Sequence, residues 1–203
     1  MKPVSPELAY LLGAMRDASI DVRKGKNYEI KIAQRETSWL RLLQTLFHKE
    51  FEARGTITKH ANGTEILRIN GRSYVEKILD ISDFETPQEF WDTPKCIKEQ
   101  KVKIQIHYLK GFFDAEGGLP KKPDTAKQKY ISFSQKNRES LEFIRQVLID
   151  QSCQPTNITF CGNVWEFRLT RKNNLLYFCK NIGSWHKDKQ LRLKLLNDGI
   201  TFP

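Results

Sequence analysis

Two carboxylates stand at the ends of two short apolar segments, and each segment contains a glycine. In the first, LLGAMRDASI, Asp17 follows Gly13 by four residues, and in the second, LKGFFDAEGGL, Glu116 follows Gly111 by five. Both segments are predicted to be helices. A carboxylate at a helix C-terminus meets the negative end of the helix dipole, which is unfavourable unless something positive is bound. Two adjacent carboxylates repel each other, and a divalent cation relieves that repulsion.

The sequence contains an internal repeat. This repetition favours a shared metal site over two unrelated helix ends with solvated acids. Residues 28–46 and 130–148 align when Gln34 is set over Gln135. The pattern of each segment predicts a strand followed by an amphipathic helix, for which Ser38 and Asn137 are the candidate N-caps. Two further strands around an Asn-Gly or Gly-Asn turn and a closing helix follow in each copy.

Each copy is therefore predicted as helix, strand, strand, helix, strand, strand, helix. We expect the first copy at residues 1–83, a linker with two prolines at 84–101, and the second copy at 102–203 with an extra C-terminal helix. Glycine costs about 1 kcal/mol relative to alanine inside a helix, so its presence in both first helices indicates close approach of another backbone. We expect the two glycines to pack together at a pseudo-twofold axis.

The charge balance favours a polyanionic partner. The chain has 34 Lys and Arg against 24 Asp and Glu, which gives a net charge of +10. The predicted strands alternate core residues with outward Arg, Lys, Asn, Ser and Thr, a composition that can contact phosphates and base edges. An ordinary solvated sheet face is the alternative. The candidate DNA-binding residues are Lys24, Lys26, Lys31, Arg35, Thr56, Thr58, Arg68, Asn70, Arg72, Lys121, Lys122, Ser132, Ser134, Lys136, Asn157, Thr159, Arg168 and Thr170.

Other classes of protein are disfavoured. No run of eighteen apolar residues predicts a membrane span, and MKPVSPELAY lacks the features of a secretory signal, so an intracellular protein without a membrane partner is expected. The four cysteines show no CxxC spacing, which favours reduced thiols. The four histidines are scattered and indicate neither a zinc site nor a histidine-based nucleophile.

These features together resemble the LAGLIDADG homing endonucleases in their single-chain, two-repeat form. The resemblance is carried by AYLLGAMRDAS, by HYLKGFFDAEGGL, and by the recurring strand–helix units with Gln34-Arg35 and Gln135-Lys136. It implies an α+β fold of two pseudo-twofold related αββαββα repeats. In that fold a central pair of motif helices lies between two antiparallel sheets, which form a saddle over DNA. A monomer is implied.

The resemblance also implies a function: site-specific hydrolysis of both strands of a long, asymmetric double-stranded DNA target by an intron-encoded enzyme. One acid from each motif helix holds divalent metal, normally Mg²⁺, with Mn²⁺ as a substitute. The implied metal site comprises Asp17 and Glu116 with the residues that follow them, Ala18 and Gly117. Nearby basic or amide residues position waters and phosphates and add positive charge at the transition state. The implied catalytic residues are Asp17, Glu116, Gln34, Arg35, Gln135 and Lys136.

The first motif departs from the family pattern. An alignment without a gap puts Ala18 in the acid position, and Asp17 stands one residue early, a shift of about 1.5 Å and 100° on a regular helix. A tightened 3₁₀ turn at the helix end can re-aim Asp17, so Asp17 is favoured over Asp21. An ion pair of Asp17 with Arg16, Arg23 or Lys24 is the alternative.

Loss of this acid would leave a protein of another kind. A one-acid enzyme, a strand-biased nickase, an RNA maturase that binds intron RNA and a DNA-binding protein are the alternatives. A structural interaction protein is disfavoured by the matched basic faces of the two copies.

Overall fold

The structure is a computed structural model that describes residues 4–23, 27–84 and 87–201. The elements of the first copy are α1 (Pro6–Ala14), a 3₁₀ turn (Met15–Asp17), β1 (Ala18–Arg23), β2 (Asn27–Gln34), α2 (Thr37–Phe51), β3 (Gly55–Lys59), β4 (Glu65–Asn70) and α3 (Arg72–Ser82). A 3₁₀ turn (Gln88–Phe90) and the short helix α4 (Lys95–Lys98) follow.

The second copy repeats this order. Its elements are α5 (Val102–Glu116), β5 (Gly117–Gly118), β6 (Ile131–Gln135), α6 (Arg138–Asp150), β7 (Thr159–Cys161), β8 (Val164–Leu169), α7 (Lys172–Tyr177), a π-helical turn (Phe178–Ile182) and the additional helix α8 (Lys187–Thr201). The predicted αββαββα pattern is therefore confirmed in both copies. None of the helices within the described ranges is long and apolar enough to cross a membrane.

Two antiparallel four-stranded sheets have the same topology, with strand orders β1-β2-β4-β3 and β5-β6-β8-β7. Strands β1, β4 and β8 alternate between buried and more open positions. In β4, Leu67 and Ile69 are fully buried, whereas Asn70 is exposed and Arg68 is partly exposed. The buried faces pack on the helices of their own copy, which leaves one polar face on each sheet. The α+β fold expected from the sequence is confirmed.

The helix ends follow ordinary capping chemistry. The Oγ of Ser5 accepts the amide of Leu8 at the start of α1, and the side chain of Asn137 caps α6, as the sequence predicts. The prediction for Ser38 was wrong. Glu36 occupies the N-cap of α2 because its carboxylate reaches the Ser38 amide, which places Ser38 inside the first turn.

The two motif helices, α1 and α5, pack on each other through their glycines. A Cβ added to Gly13 would lie 2.1 Å from the carbonyl oxygen of Tyr108, and a Cβ added to Gly111 would lie 2.0 Å from that of Tyr10. The contacts are reciprocal, as a pseudo-twofold axis between the helices requires. The close approach predicted from the two glycines is thus present, and it brings the C-terminal ends of both helices together. We call the region between these ends, with Asp17 and Glu116, the seam.

Candidate active site

The two helices of the central pair end differently. Helix α5 remains α-helical as far as Glu116 and enters its strand at Gly117. Helix α1 ends at Ala14, and a 3₁₀ turn carries the chain to Asp17, with the amide of Ala18 donating to the carbonyl of Met15. A 3₁₀ turn advances about 2.0 Å per residue rather than 1.5 Å. The tightened turn makes Asp17 the last residue before the strand, as Glu116 is in the other copy.

The pairing of the strands also indicates that Asp17 and Glu116 occupy equivalent positions in the two repeats. Ala18 lies opposite Ile32, and Gly117 lies opposite Phe133. Ile32 and Phe133 are matching positions of the two repeats, so Ala18 corresponds to Gly117 and the acids before them correspond to each other. Ala18 is a buried strand residue with 2% exposure. Asp17 therefore lies where the gap-free alignment had put Ala18.

The two acids interact electrostatically within a largely buried seam. Burial is the main cause that raises the pKa of Glu116, and the negative charge of Asp17 raises it further. The pKa of Glu116 is about 7. Burial also raises the pKa of Asp17. The negative charge of Asp17 therefore opposes the ionisation of Glu116, which is the arrangement that a bound cation would relieve.

Each acid has a glutamine partner from its own repeat. The Nε2 of Gln34 donates to Oδ2 of Asp17, and the side chain of Gln135 lowers the pKa of Glu116. Gln135 is 9% exposed and its Oε1 accepts the backbone amide of Lys136 at 2.8 Å, which fixes its orientation. Both glutamines lie at the ends of the second strand of their repeat, β2 and β6. The structure thus brings four of the six predicted catalytic residues together.

The two basic residues that follow the glutamines lie away from the acids. Arg35 is exposed. Lys136 is also exposed, and its Nζ lies 3.6 Å from Oε2 of Glu89 in the linker. Their assignment as catalytic residues stays a prediction for the DNA-bound state, since neither side chain is held against the carboxylates in this structure.

Two of the alternative partners of Asp17, Arg16 and Arg23, are engaged elsewhere, and the third, Lys24, lies outside the described residues. Arg23 forms an ion pair with Asp21 at 2.7 Å, which also removes Asp21 from the seam. Arg16 points the other way along the turn, and its NH2 donates to the carbonyl of Trp91 at 2.8 Å and to Oγ of Ser140 at 2.8 Å. The charge of Arg16 still lowers the pKa of Glu116.

A lysine that sequence reasoning missed contributes a cation to the seam. Lys189, in the first turn of α8, is largely buried, and its Nζ donates to the carbonyls of Phe113 and Gly117, both at 2.8 Å. Burial lowers its pKa to about 8, although the carboxylates of Asp114, Glu116 and Asp17 oppose that shift. No sequence signal distinguishes Lys189 from the other lysines in KDKQLRLK.

A third carboxylate, Asp114, is buried near the acids but is fully used by other donors. Its oxygens accept the hydroxyl of Tyr10 at 2.6 Å, the hydroxyl of Ser184, and the backbone amides of Trp185 and His186 at 2.8 and 3.0 Å. Four donors are about as many as a carboxylate accepts, so Asp114 is satisfied without a metal ion. An aspartate within the apolar run GFFDAE was the available signal for a buried, satisfied acid.

The donor set suits a hard divalent cation that retains other ligands. Among the residues that the structure describes, no group of three or more His, Cys, Asp or Glu side chains could hold a metal ion. Asp17 and Glu116 supply two carboxylates, and Mg²⁺ is commonly bound by one or two carboxylates together with waters and substrate phosphates. The residues present therefore fit Mg²⁺ bound jointly with DNA. They do not fit a closed structural site.

The polar face of the first sheet is organised around a buried acid. Glu29 is 5% exposed and forms ion pairs with Lys31 and Arg68, both at 2.7 Å. Burial raises the pKa of Glu29, but the two cations outweigh burial and leave that pKa lowered. Thr56 lies opposite Arg68 on the neighbouring strand and is exposed. The sequence-based description of this face omitted Glu29.

The second sheet repeats the arrangement with different residues. Glu166 accepts from Nε of Arg168 at 2.6 Å and from the hydroxyl of Ser134 at 3.1 Å. The expectation that Ser132 lies on the open face was wrong, because Ser132 is 6% exposed. Strand β5 pairs along β6 there, and a Cβ on Gly118 would lie 2.4 Å from the Ser132 hydroxyl oxygen.

The remaining candidate DNA-binding residues divide into two groups. Lys24 and Lys26 lie outside the described residues. The exposed candidates are Thr58, Asn70, Arg72, Lys121, Lys122, Asn157, Thr159 and Thr170. Asn157 precedes β7, which begins at Thr159.

Comparisons with known proteins identify the family of this chain. Residues 103–183 match the family model of the LAGLIDADG-like domain. The homing endonuclease I-ApeI of Aeropyrum pernix is 30% identical over 205 residues, which span 93% of this chain and 86% of I-ApeI.

Solved structures show the same fold. Homing endonuclease I-DmoI in complex with DNA and Ca superposes with a TM-score of 0.67 at 21% identity, over 91% of this chain and 93% of I-DmoI. Its complex with DNA and Mn gives 0.65 at 19% identity, over 89% and 98%. Full-length DUF199/WhiA from Thermatoga maritima gives 0.62 at 17% identity, over 97% and 61%.

Proposed function

The chain belongs to the LAGLIDADG homing endonuclease family, and from that premise we propose that it is a site-specific double-strand DNA endonuclease. In this proposal Asp17 and Glu116 jointly hold Mg²⁺, or Mn²⁺ in its place, and the protein hydrolyses phosphodiesters in a long, asymmetric target. The observation that carries the proposal is the pairing of the two acids. They come from different repeats, and the charge of Asp17 helps raise the pKa of Glu116 to about 7.

The protein's own residues orient the reacting groups. Gln34 donates to Asp17 and so orients that carboxylate, and Gln135 lowers the pKa of Glu116 and so favours its ionised form. When bound, a divalent cation supplies Lewis-acid stabilisation of the scissile phosphate and lowers the pKa of an attacking water. Arg35 and Lys136, which are both exposed, would turn toward the phosphates once DNA is bound.

The two sheet faces supply target recognition in this proposal. Arg68 and Arg168 are each held by a carboxylate, Glu29 and Glu166, so their guanidinium groups are oriented before DNA binds. An arginine with a fixed orientation reads guanine more selectively than a freely rotating one, because bidentate bonding depends on geometry. The two faces differ in sequence, which supports an asymmetric target.

We also propose a monomer with the division 1–83, 84–101 and 102–203. Both motif helices come from one chain and bury their glycines against each other. One chain therefore supplies a complete pair of acids, and a partner subunit is not needed to complete the site.

Cleavage of plasmid DNA tests the proposal. A randomised duplex library digested with Mg²⁺ would first yield the target site, which is then placed in a supercoiled plasmid. Wild type is expected to linearise this plasmid, and Asp17→Asn and Glu116→Gln are each expected to lower the rate by more than about 100-fold. Asp21→Asn is the matched control, since Asp21 pairs with Arg23 away from the seam.

The products distinguish the alternatives. Nicking without linearisation, unaffected by Asp17→Asn, would favour the one-acid nickase. Specific binding without cutting in any divalent metal would favour the DNA-binding protein. Undiminished cutting by Glu116→Gln would refute the metal-site assignment.

A further inference from the structure

The additional helix α8 is docked onto the central helix pair by the buried acid Asp114. The turn before α8 presents the hydroxyl of Ser184 and the amides of Trp185 and His186 to this one carboxylate. The same carboxylate accepts from Tyr10 of α1, whose hydroxyl accepts Nε1 of Trp39 at 2.8 Å. One network therefore connects α1, α2, α5 and the start of α8.

This docking directs one lysine of α8 into the seam. Lys189 follows the anchored turn by three residues, and its ammonium group reaches the C-terminal end of α5. Its two acceptors, the carbonyls of Phe113 and Gly117, flank Glu116 in the chain. The carbonyl of Phe113 already accepts the amide of Gly117, so Lys189 is a second, charged donor at the end of the helix.

Without a cation, the negative charges near the end of α5 would repel one another. Asp17, Asp114 and Glu116 all interact with the charge of Lys189. Glu116 also meets the negative end of the α5 dipole. A buried ammonium is costly in general, and it is tolerated here because it lies among three carboxylates and two carbonyls.

We propose that Lys189 is a positioning residue of the catalytic centre, supplied by α8. Its ammonium fixes the end of α5, and with it Glu116, and offsets the repulsion between the two metal-binding acids until metal and DNA arrive. This inference rests on the proposed function. It makes α8, which has no counterpart in the first repeat, a functional part of the site.

A charge so placed has two opposite consequences. It competes electrostatically with a metal ion at Asp17 and Glu116, so its removal strengthens metal binding. It also sets the position of Glu116, so its removal slows cleavage, because a displacement of about 1 Å in a catalytic group can lower a rate by about 100-fold. A residue needed only for folding would weaken both properties together.

The test compares Lys189→Met, Lys189→Arg and, as the matched control, Lys194→Met on the exposed side of the same helix. Circular dichroism first establishes that each variant is folded. Affinity for Tb³⁺ alone is then measured by tryptophan-sensitised luminescence on the DNA-free full chain, with Glu116→Gln as the variant that loses the site. Cleavage of the target plasmid is measured at saturating Mg²⁺.

Lys189→Met is expected to bind Tb³⁺ about tenfold more tightly and to cleave about 10- to 100-fold more slowly. Lys189→Arg keeps the charge and its donors, and is expected to retain wild-type Tb³⁺ affinity and to restore cleavage to within about fivefold. Lys194→Met is expected to match wild type in both measurements.

The inference is overturned if Lys189→Met leaves both properties within twofold of wild type, or if it weakens Tb³⁺ binding and cleavage together. Failure of the proposed function gives a different result. Wild type would then cut no DNA, while the Tb³⁺ comparison would still report whether Lys189 acts on the two acids.

Discussion

Asp17 and Glu116 are matching acids that reach the seam by different local structures. Asp17 follows a 3₁₀ turn and Glu116 ends a regular α-helix. Both are largely buried, and both have raised pKa values because burial opposes their ionisation. The ionised pair is therefore a source of instability in the metal-free protein, held in place by the packing of the helix pair around it.

The pH dependence of stability follows from the raised pKa of Glu116. Its value is about 7 in the folded protein against 4.5 in the unfolded chain, so the folded state binds more protons between these values. The stabilising contribution of the protonated group is present below pH 4.5 and is lost as the pH rises through 7. In EDTA, Glu116→Gln is expected to be more stable than wild type at pH 8 by about 2 kcal/mol, and this advantage should vanish near pH 4.5.

Urea unfolding at the two pH values measures the difference. Glu139→Gln, on the exposed first turn of α6, is the control and should unfold like wild type at both. Equal stability of Glu116→Gln and wild type at pH 8 would show that Glu116 ionises without penalty, contrary to its burial beside Asp17.

At the scale of elements, the contact between α1 and α5 determines where both acids lie. At each glycine, the backbone of the opposite helix lies so close that there is no room for a side chain. The polar strand faces are less constrained, since their exposed threonines and asparagines have room to change. We therefore expect sequence variation to be tolerated on the sheets much better than at this crossing.

Gly111→Ala is expected to destabilise the protein by more than about 3 kcal/mol, because the added methyl would lie 2.0 Å from the carbonyl oxygen of Tyr10. In an unobstructed helix the same change stabilises by about 1 kcal/mol. The sign alone is diagnostic. Thermal unfolding measures it, and a rise in melting temperature would contradict the packing described for the helix pair.

At the scale of the molecule, the two repeats are joined by a linker that packs against both. Arg16 is fully buried and lies over the rings of Phe84 and Phe112 at 5.8 and 5.4 Å. Its guanidinium donates to the carbonyl of Trp91 in the linker and to Ser140 of the second repeat. The arginine beside the first acid therefore connects three parts of the chain.

Arg16→Met is expected to lower stability by about 3 kcal/mol, since the carbonyl of Trp91 and the hydroxyl of Ser140 lose a charged donor. It should also make residues 84–101 more sensitive to proteolysis, because the linker loses its anchor on the 3₁₀ turn that follows α1. Limited proteolysis with mass spectrometry locates the cuts. Arg41→Met, an exposed position on α2, is the control, and equal cutting of the two variants would refute the anchoring role.

The sequence by itself determined the repeat, the order of the elements, the approach of the two glycines and the nature of the polar faces. These follow from local periodicity and residue type, because a strand or helix that must bury one face shows that face in its own sequence. Glu116 belongs to this group, since its distance from Gly111 matches a regular helix.

Only the tertiary structure decided which residues meet at the seam. Asp17 reaches it through a 3₁₀ turn whose occurrence depends on packing against α5, and Ser132 is covered by a strand that pairs only in the folded chain. Lys189 lies more than seventy residues from the carbonyls it binds. Contacts at such separations depend on how the helices dock, and neither residue type nor spacing along the chain encodes them locally.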